Sequence, residues 1–186
     1  MNVPFTAYAQ DCTLTGELAL VSDRLSDFLS STVEFEVDNV TCRALDDGRV
    51  VQAGSAAILR EDLCVVLAGE PRGSPELRIW TRQYPVVARV GPYQVRGYLH
   101  APPTIDPLKM ATRRPIVALT SARIVYAEAG AEVERASETL LLNSARIETL
   151  EATTIEDIDG VELGDAGGEP AAILDRPRLE SEGLGA

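Results

Sequence analysis

The stretch Gln94 to Leu119, QVRGYLHAPPTIDPLKMATRRPIVAL, decides how the rest of the chain is read. Tyr93, Val95, Gly97 and Leu99 recur with a period of two, which predicts a strand over Tyr93 to His100 with one buried face. Gly97 lies inside that strand, where a glycine marks a bulge or a close backbone approach. Pro102, Pro103 and Pro107 then stiffen a connector whose pieces are too short for a regular helix. Ile116 to Leu119 resumes as a buried strand. An earlier stretch, Leu14 to Val37, LTGELALVSDRLSDFLSSTVEFEV, follows the same plan, with Gly16 for Gly97, Leu18 for Leu99 and Leu25 for Leu108.

Outward from these two stretches the pattern continues in parallel. In the first half, Leu14, Leu18 and Leu20 alternate with Thr13, Thr15 and Glu17, so the threonines belong to a solvent side. Leu25, Phe28 and Leu29 suggest one or two helical turns, with Ser22 or Asp23 as the cap. Val33, Phe35 and Val37 begin a strand that runs on through Val40 and Cys42 to the hairpin signal Asp46-Asp47-Gly48. Strands follow over Arg49 to Leu59 and Leu63 to Leu67, separated by Arg60-Glu61-Asp62. Met1 to Gln10 reads as a lead-in, because Pro4 argues against an early central strand. Gly69 to Pro75, GEPRGSP, reads as a linker. In the second half, Leu77 to Arg82 suggests a connecting strand carrying Trp80. Strands are then expected over Pro85 to Val90, through Ile124 to Tyr126, and over Thr139 to Leu142 and Arg146 to Leu150. Turns fall at Gly91-Pro92 and around Gly130. Gly16 to Gly97 is a step of 81 and Val33 to Val117 a step of 84, which suggests a duplicated unit with a short insertion in the second connector.

Arg96-Gly97-Tyr98-Leu99, Ala118-Leu119-Thr120-Ser121-Ala122 and Leu142-Asn143-Ser144-Ala145-Arg146-Ile147 resemble, in order, the three short motifs of the Sm-like small-barrel family. Thr15-Gly16-Glu17-Leu18 and Leu59-Arg60-Glu61-Asp62-Leu63-Cys64 occupy the first and last of those places in the first half. The resemblance implies a mainly β chain of two tandem Sm-like small barrels, residues 1–70 and 71–152, with an acidic flexible tail over 153–186 and short helical turns in the connectors. It points to a bacterial family of tandem barrels of this kind. The family's RNA-contacting Asp-x-x-x-Asn segment is replaced here by the long connectors, and the glycine of its last motif by Glu61 or Ser144. The resemblance therefore carries over the barrel rather than the RNA site.

Composition narrows the function classes. No apolar run is long enough for a transmembrane helix, and the first residues lack the basic and apolar regions of a signal peptide. Cys12, Cys42 and Cys64 are too few for a disulfide framework and lack zinc spacing, so a cytoplasmic protein without a metal site is expected. No P-loop, G-x-S-x-G or G-x-G-x-x-G is present, and no cofactor or enzymatic activity is expected. The net charge of −12 is unevenly spread. Tyr8 to Glu70 holds 12 acids and 4 bases, Pro71 to Leu150 holds 7 and 11, and Glu151 to Ala186 holds 10 and 2. Within the basic middle, Arg96, His100, Lys109, Arg113 and Arg114 are the candidate ligand-binding residues, since arginine forks suit phosphate or carboxylate. Two roles follow. One is a structural or protein-interaction module that meets a protein partner or itself through exposed edge strands. The alternative is binding of an anionic ligand or single-stranded nucleic acid by the basic second repeat, modulated by the acidic tail.

Overall fold

The computed structural model describes residues 1–68 and 80–154. The expected linker, the first part of the strand expected over Leu77 to Arg82 and nearly all of the acidic tail lie outside them, and Trp80 and Thr81 precede the first strand of the second half. Ten strands run in chain order: β1 (Asn2–Ala9), β2 (Cys12–Ala19), β3 (Glu34–Ala44), β4 (Val50–Leu59), β5 (Leu63–Ala68), β6 (Arg82–Val90), β7 (Tyr93–Ala101), β8 (Ile116–Glu128), β9 (Ala131–Asn143) and β10 (Ile147–Ala152). Two short helices, α1 (Leu25–Ser31) and α2 (Pro107–Ala111), follow the second strand of each half. Single 3-10 turns, Arg60–Asp62 and Ser144–Arg146, precede β5 and β10. All ten strands join in one antiparallel sheet of order β10-β6-β7-β8-β9-β5-β1-β2-β3-β4.

That order corrects the expectation of two closed barrels. Closure would require β4 to bond to β5, and β9 to β10. Instead β5 lies between β1 and β9, with Val65 opposite Leu142 and Ala68 opposite Thr139. The result is one large open sheet in which the last strand of each half sits beside that half's first strand. The 3-10 turns turn the chain away from the preceding strand at both places.

Met1 to Gln10 is not a lead-in. It contains β1, an interior strand of the sheet. Pro4 is tolerated because β1 meets β5 only from Thr6 to Ala9, so at Pro4 the strand has β2 alone as neighbour. Pro85 repeats this on β6, just before the β10 pairing begins at Val86. The proline-stiffened connector does hold a helical turn, because Pro107 occupies the first turn, where no N–H is needed, and the Asp106 carboxylate accepts from the N–H groups of Leu108 and Lys109. The start of α1 differs from expectation as well: Arg24 is its N-cap residue and no side chain caps it.

Gly16 and Gly97 both sit at register shifts, opposite Phe5 and Val86. A Cβ on Gly16 would lie 2.6 Å from the Asp38 carbonyl, and one on Gly97 2.9 Å from the Ala122 Cβ. Across from them, Asn39 and Ser121 adopt positive φ values of 51° and 46°. Each glycine thus lets a bulged neighbour strand approach, and the sheet bends there.

Bending creates two apolar cores. One gathers Val86, Val95, Leu99, Leu119, Ile124, Leu140 and Leu142, and includes Tyr8, Cys64 and Val65 from the first half. The other gathers Phe5, Leu18, Leu29, Phe35, Val37 and Leu63, and includes Ile116 and Leu141 from the second. The central strands β5 and β9 send residues into both, Cys64, Val65, Leu140 and Leu142 into the first and Leu63, Val66 and Leu141 into the second, which is why Leu63 to Val66 and Leu140 to Leu142 are buried without a break.

Candidate functional site

A polar cavity lies on the face of β1, β2 and β3 that turns away from the second core. Strand register builds its floor in two rows: Thr6, Thr15 and Thr41 in one, Tyr8, Thr13 and Arg43 in the other. The long β8–β9 hairpin folds over this floor and contributes Tyr126, Glu128 and Arg135. Its tip is fixed in place: the Ala129 N–H donates to the Leu45 carbonyl at 2.7 Å, and Glu128 stands 3.9 Å from the Arg43 guanidinium. Ala129 and Gly130 both take positive φ, the geometry of a tight two-residue hairpin turn. The cavity encloses about 180 Å³.

Two of the lining residues, Tyr8 and Tyr126, belong to a cluster of three tyrosines. Tyr8, Tyr93 and Tyr126 meet edge to face in a triangle with ring centres 5.4 to 5.6 Å apart. Burial raises the pKa of all three above the ordinary phenol value. The Arg135 guanidinium beside the Tyr126 hydroxyl opposes part of that rise. Their hydroxyls differ in satisfaction. Tyr93 donates to the Ala9 carbonyl at 2.6 Å, whereas the Tyr8 hydroxyl, on a residue only 1% exposed, has no hydrogen-bond partner among the described residues.

The residues singled out from sequence lie elsewhere. Arg96 and His100 are half-buried on β7. His100 is held between two hydroxyls, Nε2 at 2.6 Å from Thr120 Oγ1 and Nδ1 at 3.4 Å from Thr81 Oγ1, and burial lowers its pKa. Lys109 is exposed on α2, 3.9 Å from Asp106, and Arg113 and Arg114 are exposed just beyond the helix. Lys109, Arg113 and Arg114 are thus gathered by α2, which packs against β7 and β10, and none of the five lines the cavity. The cavity residues gave little sequence signal. Thr13 and Thr15 read as a solvent side, and nothing local brings β8 and β9 over them.

A second feature is the free edge β4. Its ten residues, VVQAGSAAIL, carry no charge and no proline, and Val50 and Val51 are 43% and 56% exposed. Beside its end, a cleft of about 450 Å³ runs between Leu14, Ala57, Ile58 and Leu59 on one side and Asp62 and Arg146 on the other. The Cys12 thiol at the edge of this cleft is pushed up to about 12 by burial and by the neighbouring Cys42 thiol. Among the described residues no three metal-capable side chains gather, and no helix is long and apolar enough to cross a membrane.

Compared with known proteins, the chain matches no family model, no curated protein and no solved structure.

Proposed function

We propose that the chain is a non-enzymatic, cytoplasmic interaction module made of two tandem Sm-like units, which adds further copies of itself edge to edge. The observation that carries this reading is the β5·β9 joint together with the open strand β4. Inside the chain, the last strand of the first half already bonds to the fourth strand of the second. The sheet ends on the remaining members of the same two kinds, β10 and β4. A step of 84 relates the 3-10 turns and the strands that follow them. Applied to the internal joint, it predicts that Thr149 of one copy stands opposite Ile58 of the next, and Ala152 opposite Ser55. Such a contact is head to tail, so it closes into a ring or continues as a filament according to the rotation per copy. An uncharged edge of this length is otherwise an aggregation hazard, which natural proteins blunt with lysine, proline or a cover. The adjoining cleft gives the incoming strand a place for side chains, the usual source of selectivity in strand addition.

Size-exclusion chromatography with light scattering tests this reading. The expected result is a mass above the monomer that grows with concentration and collapses to the monomer in Ala57→Lys, whose charge sits on the exposed edge. A strict monomer at high concentration overturns it.

A further inference from the structure

We propose that the cavity between the β1–β3 face and the β8–β9 hairpin is a binding site for a small oxyanion, a phosphate or phosphate monoester, held by Arg43, Arg135 and the Tyr8 hydroxyl. The site is separate from the β4 edge and does not depend on the assembly reading.

Three observations converge on it. The lining is rich in donors: two guanidiniums and a group of threonine and tyrosine hydroxyls against one carboxylate, that of Glu128. Glu128 stands 3.9 Å from Arg43 and partly offsets it, so the lining keeps a net positive charge in a chain of net charge −12. Oxygen-rich anions are what arginine forks and hydroxyl groups recognise together. The second observation is the Tyr8 hydroxyl. A buried phenol without a partner is unfavourable in a folded protein, and such groups mark places where something else supplies the bond. Here Tyr8 lines the cavity, in the same row as Thr13 and Arg43, and the groups acting on its hydroxyl, Tyr126, Arg135 and Glu128, line it too. The third is rigidity. The floor is three paired strands, and the cover is a hairpin pinned by the Ala129 to Leu45 hydrogen bond. Both sides are fixed before a ligand arrives, which lowers the ordering cost of binding.

Tyr8→Phe makes the decisive variant because it removes one hydroxyl and keeps the ring that packs on Tyr93 and Tyr126. The two readings of that hydroxyl predict opposite results. As a ligand donor with no protein partner, its removal leaves the free protein as stable as before or more so, while phosphate binding weakens roughly ten- to a hundredfold, the loss of one charge-assisted hydrogen bond. As a structural hydroxyl, its removal destabilises the fold and leaves binding unchanged.

The test is calorimetry and amide NMR titration of the full chain with inorganic phosphate and, separately, methyl phosphate, against sodium chloride at equal ionic strength and against glycerol. Saturable binding of phosphate that moves the amides of Thr13, Thr41 and Arg135, and that Tyr8→Phe and Arg135→Gln both weaken, supports the site. Tighter binding of methyl phosphate than of phosphate assigns an ester as the natural class, and the reverse assigns the free ion. Absence of saturable binding, an equal response to glycerol, or undiminished binding by Tyr8→Phe overturns the proposal.

Discussion

The Tyr93 hydroxyl donates to the Ala9 carbonyl at 2.6 Å, across 84 residues of chain. Tyr93 thereby fixes the turn between β6 and β7 to the end of β1, and its ring completes the triangle with Tyr8 and Tyr126. Tyr93→Phe keeps the ring and leaves the buried Ala9 carbonyl without this donor. The expected loss is about 1 to 2 kcal/mol, a fall of roughly 2–8 °C in the thermal midpoint for a chain of this size. Thermal unfolding followed by circular dichroism checks it, and a midpoint unchanged from wild type would show the bond contributes nothing.

Asn143 is the one polar residue fully inside the described core, at 5% exposure. Its amide donates to the carbonyls of Arg60 and Leu63, at 3.0 and 2.9 Å, and its oxygen accepts from the Ala145 N–H. One side chain thus satisfies the 3-10 turn of the first half and caps that of the second. Asn143→Ala takes a donor from two carbonyls, of which Arg60 keeps the Leu63 N–H, and leaves a cavity, and is expected to cost about 2 to 3 kcal/mol. Urea denaturation measures this. Arg146→Gln, which loses a bond to the more exposed Glu61 carbonyl, should cost clearly less.

Glycine positions separate by what surrounds them. Gly16→Ala drives a methyl group against the Asp38 carbonyl and Val37, at 2.6 Å from each, where a backbone atom cannot swing aside. A loss of about 1 to 3 kcal/mol is expected from such overpacking. At Gly54 on β4 an added methyl group would meet nothing within 4 Å, and φ is not positive, so Gly54→Ala should raise stability by roughly half a kcal/mol through the unfolded chain. Chemical denaturation of the two variants side by side gives opposite signs if both arguments hold.

Stability should decline at both ends of the pH range, for different residues. The buried tyrosines hold folded pKa values above the ordinary phenol value of 10.0, so the unfolded chain loses its phenolic protons first. Their contribution is therefore complete below pH 10 and is lost as pH rises beyond it. His100 has a folded pKa below the ordinary imidazole value of 6.5. The unfolded chain gains that proton first, so stability is full above pH 6.5 and falls as pH drops below it. Thermal midpoints across pH test both limbs, and His100→Gln should flatten the acid limb while leaving the alkaline one in place.

With its thiol pushed up to about 12, Cys12 remains protonated at neutral and mildly alkaline pH, and the thiolate is the reactive form. Brief iodoacetamide treatment of the folded protein should leave Cys12 unmodified by mass spectrometry, with full labelling only after unfolding. Rapid native-state labelling of Cys12 would contradict the assigned surroundings.

Most strands were legible because Val33, Phe35 and Val37, or Tyr93, Val95 and Leu99, alternate as half-buried strands must. Turns at Gly48, Gly91 and Gly130 were legible because positive φ favours glycine there. Pro4 misled because the ban on proline in interior strands applies residue by residue: β1 is an interior strand only from Thr6 onward. Failure to close the barrels was hidden for another reason. Nothing in Leu63 to Val66 names a partner strand, although the unbroken apolar runs there and at Leu140 to Leu142 have the composition that burial on both faces requires. The cavity was least legible of all, since Thr6, Thr15 and Thr41 come together only through register, and Tyr126, Glu128 and Arg135 only through the long-range contact of the β8–β9 tip with Leu45 and Arg43.

The β5·β9 joint has a consequence for biosynthesis. β5 is complete at Ala68, but its partner residues Thr139 to Leu142 emerge from the ribosome only after the intervening strands β6 to β8. Until then the nascent first half carries a strand, LCVVLA, that has β1 on one edge only, is apolar on both faces and cannot finish either core. Synthesis therefore passes through an interval of high adhesiveness, and polysomes bring many such intermediates close together. A chain that ends its own sheet on β4 and seals β5 only once β9 is made is exposed to mispairing between neighbouring nascent copies, and its yield in cells should depend on holdase chaperones acting before β9 arrives.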